Sequence, residues 1–252
     1  MRIVLKFGSG ILANTQGNTL DEAQFTRLTE EIAALVRAGH ECLVVSSGAV
    51  AAGLSVLGLE ARPEALSARQ ACAAVGQSKL MQAYATLFEQ HGLSVAQLLL
   101  THGDLDSRTR YANARNTLEC LFERRTVVPI INENDSVAVE ELKFGDNDRL
   151  SAEVAVLAKA DLLVLLTSVD GLLDQKGQLV PRVEDVDAVA NLARDEKGRL
   201  SVGGMVSKLQ AVKLAVEEGI PTWIANGRTP GRVAAVLARE EGAGTEFVPS
   251  GA

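Results

Sequence analysis

The chain has 252 residues, of which 47% are hydrophobic and 4% aromatic, and carries a net charge of −7. This supplies enough apolar side chains for a large core and excludes a disordered polymer. The negative charge and the scarcity of aromatic rings argue against a nucleic-acid or anionic-membrane surface as the main partner.

Arg2 to Phe7 reads as a buried strand ending at Gly8-Ser9-Gly10. Phe25, Leu28, Ile32, Leu35 and Val36 recur at helical spacing between Asp21 and Arg37, and Gly39 stops that helix. Glu41 to Val45 is a second strand, followed by Ser46-Ser47-Gly48-Ala49 and an alanine-rich helix. Pro63 is expected to open a helical stretch running to about Gln90. Leu93 to Leu100 is a third strand, Arg108 to Arg124 a helix, and Val127 to Ile131 a fourth strand. Alternation across Ser136 to Lys143 predicts a short exposed hairpin. Asn147 to Lys159 is expected to be helical and Asp161 to Leu166 a fifth strand. Lys176-Gly177 marks a turn between short strands within Leu172 to Val183. Met205 to Glu218 reads as a helix, Pro221 to Ala225 as a strand, Gly231 to Arg239 as a last helix, and Glu246-Phe247-Val248 as an apolar tail.

Strands alternating with helices predict an α/β fold with a mainly parallel central sheet covered on both faces. No Pro/Gly/Ser-rich linker divides the chain, so residues 1–252 are expected to share one continuous sheet, with a functional division near residue 157. Cys42, Cys72 and Cys120 lack metal-ligand spacing and fit no disulfide framework, so they read as buried thiols. His40, His91 and His102 read as isolated structural or surface residues. The Met1–Lys6 run is too short for a signal peptide and no segment reaches membrane-spanning length, so a soluble, cytoplasmic protein is expected.

Five segments carry chemistry. Lys6-Phe7-Gly8-Ser9-Gly10 sets a cation and glycines at a strand's carboxyl end, where amides approach phosphate oxygens closely; a plain turn is an equal reading. Ser46-Ser47-Gly48-Ala49 places small residues at a strand-to-helix junction and equally suits close helix packing. Ile131-Asn132-Glu133-Asn134-Asp135 and Phe144-Gly145-Asp146-Asn147-Asp148 crowd carboxylates and amides together. Like charges so placed need a cation or hydrogen-bond donor, and a capped helix start at Asp146 or Asn147 explains only one of them. Leu166-Thr167-Ser168 opens a strand into a plausible nucleotide shelf. Ser201-Val202-Gly203-Gly204-Met205-Val206-Ser207-Lys208 aims helix-start amides and an ammonium group at one anion. Their order along the chain is far more specific than any one of them.

With Ala74-Val75-Gly76-Gln77-Ser78, these segments make the chain resemble the amino-acid kinase family across nearly its whole length. The resemblance implies a three-layer αβα sandwich binding ATP with Mg²⁺ on its C-terminal half (158–252) and glutamate on its N-terminal half (1–157). The implied reaction passes the γ-phosphoryl group to glutamate's side-chain carboxylate, at the head of proline biosynthesis. Residue by residue, Lys6 and Lys208 would contact the phosphoryl group, Asp148 would orient both, and Gly8 and Gly48 would donate backbone amides. Ser47, Asp135 and Asn147 would hold glutamate, with Asn132 and Asp146 beside them. Thr167, Ser168, Val202, Gly203, Gly204, Met205, Val206, Ser207 and Lys6 with Lys208 would bind nucleotide. No general base is needed, because a carboxylate is already ionised at neutral pH, and no direct protein ligand for Mg²⁺ is assigned.

The resemblance further implies feedback inhibition by proline and a homo-oligomer. Ser168, Val202 and Leu173 stand where relatives often carry Asp, Thr and Tyr, all on the nucleotide side. Many relatives continue into an RNA-modification-type PUA domain, expected to be absent here. Acetylglutamate, carbamate, aspartate and nucleoside monophosphates are rival acceptors, disfavoured by the two Asn/Asp segments. A non-catalytic amino-acid sensor is the rival from another class, disfavoured by the retention of both lysines.

Overall fold

The computed structural model describes residues 1–14, 16–138, 146–193 and 204–249. In chain order these form β1 (Arg2–Phe7), α1 (Ser9–Leu12), α2 (Glu22–Arg37), β2 (Glu41–Val45), α3 (Ala49–Leu57), α4 (Leu66–Glu89), β3 (Ser94–Leu100), α5 (His102–Asp106) and α6 (Arg108–Phe122). They continue with β4 (Val127–Glu133), α7 (Asp146–Ala158), β5 (Leu162–Thr167), β6 (Arg182–Val183), α8 (Met205–Glu217), β7 (Thr222–Asn226), α9 (Arg232–Leu237) and β8 (Thr245–Phe247).

Among the described residues the strands form one eight-stranded sheet in the order β3-β4-β2-β1-β5-β7-β8-β6, parallel except at β7–β8. Alternation along the strands divides the core in two. Ile3, Leu5 and Phe7 of β1 face Phe25, Leu28 and Ile32 of α2, Tyr84 and Phe88 of α4, and Val233 and Val236 of α9. Val4 of β1, with Leu163 and Leu165 of β5, faces Leu118 of α6, Leu150 and Val154 of α7, and Leu209 and Val212 of α8. A strand with both faces covered admits few polar residues, which is why Ile3–Leu5 of β1 and Leu162–Leu166 of β5 read as hydrophobic runs. The αβα sandwich expected from sequence is therefore observed.

α3 and α4 touch backbone to backbone. A Cβ on Gly53 would sit 1.9 Å from the Cys72 carbonyl oxygen, and one on Gly76 would sit 1.7 Å from that of Ala49. Only glycine allows this approach, which fixes α4 beside the loop that begins α3.

Several boundaries differ from expectation. The helix expected from Pro63 begins at Leu66, because Pro63 shapes the approach loop and Ala65 takes the extended cap position. Thr101 and Asp104 form a reciprocal cap that starts the unforeseen α5. The apolar tail is the strand β8, held between β7 and β6. Lys176-Gly177 does form a turn, but its flanks make only the single bridge Leu173–Leu179. In the hairpin expected over 136–143, residues 139–143 lie outside the described residues.

Cys42 and Cys72 are buried, and burial pushes the Cys42 thiol up to about 12. Cys120 is exposed, on the outer side of α6, rather than buried as expected. Nor is His102 isolated: its Nδ1 lies 2.7 Å from Glu153 Oε2. No helix among the described residues is long and apolar enough to cross a membrane.

Candidate active site

The parallel strands β1, β2, β4, β5 and β7 end along one edge of the sheet. There, register pairs Lys6 with Val45 on one flank and Leu165 on the other, and Thr167 with Asn226. β1 is the strand from which neighbours diverge in both directions, the position where open α/β sheets bind ligands.

Asp148, in the first turn of α7, organises this edge. Its Oδ1 accepts from Lys6 Nζ at 2.5 Å, and its Oδ2 accepts from Lys208 Nζ at 3.3 Å and lies 2.9 Å from Ser207 Oγ. Ser151 Oγ donates to the Asp148 carbonyl, pinning the turn. Asp148 is 1% exposed, and Lys6 and Lys208 are each 6% exposed. Burial alone would raise the carboxyl's pKa. The two ammonium groups, with hydrogen bonds from Lys6 and Ser207, outweigh it and hold the group below its ordinary value of 3.8.

A buried carboxylate so compensated stabilises the native state only while ionised. Its contribution is complete above about pH 4 and disappears as pH falls through the depressed native pKa. Asp148→Asn leaves two buried ammonium groups without their counter-charge, at a cost of about 3–5 kcal/mol at neutral pH. Thermal melts across pH should show the variant well below the parent near pH 7, with the gap narrowing below about pH 4. A constant gap would contradict the linkage.

On the side of β2 and β4, amides form a chain. Asn147 Nδ2 donates to Ser47 Oγ at 3.1 Å and to Asn132 Oδ1 at 3.2 Å. Asn132 Nδ2 donates to Gln77 Oε1, and Gln77 Nε2 to Gln97 Oε1, both at 2.9 Å. Asn147 Oδ1 is buried with no partner among the described residues. An orphaned buried acceptor beside a row of satisfied donors is a place for an incoming N–H. Ser46, adjacent in sequence to Ser47, points the other way, with its Oγ 2.9 Å from the buried Tyr84 hydroxyl. One serine anchors the turn and leaves the other to face the site. Asp135 is half-buried on the turn after β4, where Asn134 O accepts from Val137 N and Ala138 N.

Gly48 adopts φ 97°, ψ −2° as the cap of α3, a conformation that favours glycine. Gly8 differs from what the resemblance implies. Its N–H donates to Leu166 O at 3.1 Å, tying β1 to β5, and the absent side chain leaves room for Lys6 Nζ, 3.5 Å from where a Cβ would be.

On the side of β5 and β7, Thr167 is buried and Ser168 exposed, with Ser168 Oγ against Gly10. Asn226 Nδ2 donates to Asp170 Oδ1, and Arg228 reaches Gly10 O at 2.7 Å. Gly204 caps α8 without a side-chain hydrogen bond, and its carbonyl accepts from Ser207 N and Lys208 N. Val206 is exposed, whereas Met205 packs its side chain into the core and offers only backbone here. Val202 and Gly203 lie outside the described residues, as do Phe144, Gly145 and the side chain of Asp146. Gln77 and Ser151 were not placed in the site by sequence. Gln77 was available as the one large polar residue inside a small-residue helical motif.

The chain belongs to the amino acid kinase family, which it matches over residues 1–226. It is 46% identical over 256 residues to the glutamate 5-kinase of Geobacter metallireducens, covering 99% of this chain and 68% of that protein. It is 45% identical over 255 residues to the glutamate 5-kinase of Desulfitobacterium hafniense, covering 99% and 69%. The glutamate 5-kinase of Moorella thermoacetica is 46% identical over 255 residues, covering 98% and 67%. The chain thus spans about two thirds of the length of these relatives.

Proposed function

We propose that the protein transfers the γ-phosphoryl group of ATP to the side-chain carboxylate of L-glutamate, forming γ-glutamyl phosphate for proline biosynthesis. The observation that carries this reading is one buried carboxylate holding two buried lysines from distant elements at the carboxyl edge of β1. Binding an amino acid alone needs no such pair, whereas phosphoryl transfer needs cations where charge spreads over the moving group.

A glutamate carboxylate oxygen attacks the γ-phosphorus, the bond to the bridging oxygen of ADP breaks, and that oxygen leaves with its electron pair. No proton moves. Lys6 and Lys208 stabilise the equatorial oxygens, and Asp148 holds both ammonium groups in place. Residues 1–157 form the acceptor half, where the orphaned Asn147 Oδ1 accepts from the substrate α-ammonium and Ser47, Asn132, Asp135 and Asp146 complete the pocket. Residues 158–252 form the donor half, with Thr167, Ser168 and residues 202–208 assigned to the nucleotide. Gly48 offers its amide to the transferred group. Proline carries the same ammonium and carboxylate as glutamate, so it would compete for the acceptor contacts as a feedback inhibitor of a homo-oligomeric enzyme.

Among the described residues no cluster of three His, Cys, Asp or Glu side chains is placed to hold a metal. Mg²⁺ bound with ATP would be held by phosphate oxygens and water, where it would neutralise charge on the triphosphate.

Hydroxylamine traps an acyl phosphate as a hydroxamate. ATP-dependent hydroxamate should form with L-glutamate at a rate at least about tenfold that with N-acetyl-L-glutamate, whose blocked nitrogen cannot donate as an ammonium. Equal rates, or no hydroxamate from glutamate, would overturn the assignment.

A further inference from the structure

α4 lines the acceptor side of the site at two heights. Gln77 meets Asn132, and two turns earlier Gln70 Nε2 donates to Ala138 O at 3.1 Å, beside the turn that carries Asp135. Arg69 precedes Gln70. Its Nε is buried and finds no hydrogen-bond partner among the described residues. A charged donor left so is costly unless an acceptor arrives. Arg62, in the loop before α4, shares this corner. Partial burial and the nearby Arg69 push its guanidinium below the ordinary pKa, while Asp135 works the other way. Two guanidinium groups and one carboxylate carry a net positive charge, in a protein whose net charge is −7.

Glutamate presents three charged groups. The side-chain carboxylate belongs with Lys6 and Lys208, and the α-ammonium has acceptors in Asn147 and Asp135. The α-carboxylate needs a donor of its own. We propose that Arg69 is the specificity residue that receives the α-carboxylate of the amino-acid substrate, its planar fork matching the two oxygens. This deepens the glutamate-kinase reading and rests on it.

The test pairs a side-chain deletion with a substrate deletion. Arg69→Ala and Arg69→Lys are assayed by hydroxamate formation with L-glutamate and with 4-aminobutyrate, which keeps the reacting carboxylate and the ammonium but lacks the α-carboxylate. Where turnover of the analogue is slow, its inhibition constant against glutamate is read instead. Arg69→Ala should lower kcat/KM for glutamate about 10- to 100-fold, chiefly through KM, and change the 4-aminobutyrate constant by less than about threefold. Arg69→Lys should restore part of the loss. An equal loss on both compounds would make Arg69 merely structural, and no loss on either would remove it from the pocket; both overturn the proposal. Parent enzyme inactive on glutamate would instead sink the kinase reading itself. Thermal melting of both variants checks that the fold is intact.

Discussion

Lys208→Ala should reduce kcat by about 10²–10³-fold while shifting the glutamate KM by less than about threefold. Lys6 Nζ sits 2.5 Å from Asp148 Oδ1, and Lys208 Nζ 3.3 Å from Oδ2. Its attraction to the migrating group strengthens as negative charge spreads in the transition state, and an interaction made mainly there appears in kcat rather than KM. The fold should survive. Without Lys208, the Asp148 carboxylate still has Lys6 and Ser207 as partners. Quenched-flow single turnovers, with glutamate binding measured separately, separate the two effects. Near-parental turnover would take Lys208 out of the chemistry.

Gly76→Ala should be among the most damaging single-atom additions in the molecule. The new methyl would lie 1.7 Å from the Ala49 carbonyl oxygen and 2.5 Å from the Gly53 amide nitrogen. Neither neighbour is a side chain able to rotate away, so α3 and α4 must part along their contact. Overpacking of this severity should cost about 3 kcal/mol or more and lower the melting temperature by roughly 10 °C. Any protein that still folds should bind glutamate more weakly, because Gln77 follows Gly76 and holds Asn132. By contrast, Gly92→Ala faces open space, and its cost reflects only the positive φ of 71°. Melts of the two variants side by side distinguish steric from conformational cost; equal stabilities would defeat the packing argument.

The strands bearing Lys6 and Thr167 were legible because a strand covered on both faces admits few polar residues, so those that remain at its end stand out. Asp148 was legible from its crowded acidic surroundings. Residues whose role depends on tertiary neighbours were harder to read. Gly8 looked like an amide donor, yet the β1–β5 ladder uses its N–H. Met205 belonged to a glycine-flanked motif, yet its helix turns it inward. Arg69 and Gln77 are polar residues on a helix of low amphipathic contrast, and only the loop docked against α4 gives them meaning. β8 was missed because three residues carry too little periodicity to separate a strand from a tail.

The ladder on both sides of β1 has a mechanical consequence. Ile3 to Phe7 is bonded to β5 and Arg2 to Lys6 to β2, so the strand carrying Lys6 is shared by the proposed donor and acceptor halves. A hinge between those halves would have to unzip backbone pairing through the middle of the sheet. On the proposed reading the two reactants would meet across a stationary floor, and the approach that completes the reaction would come from side-chain torsion and from the segments standing above that floor.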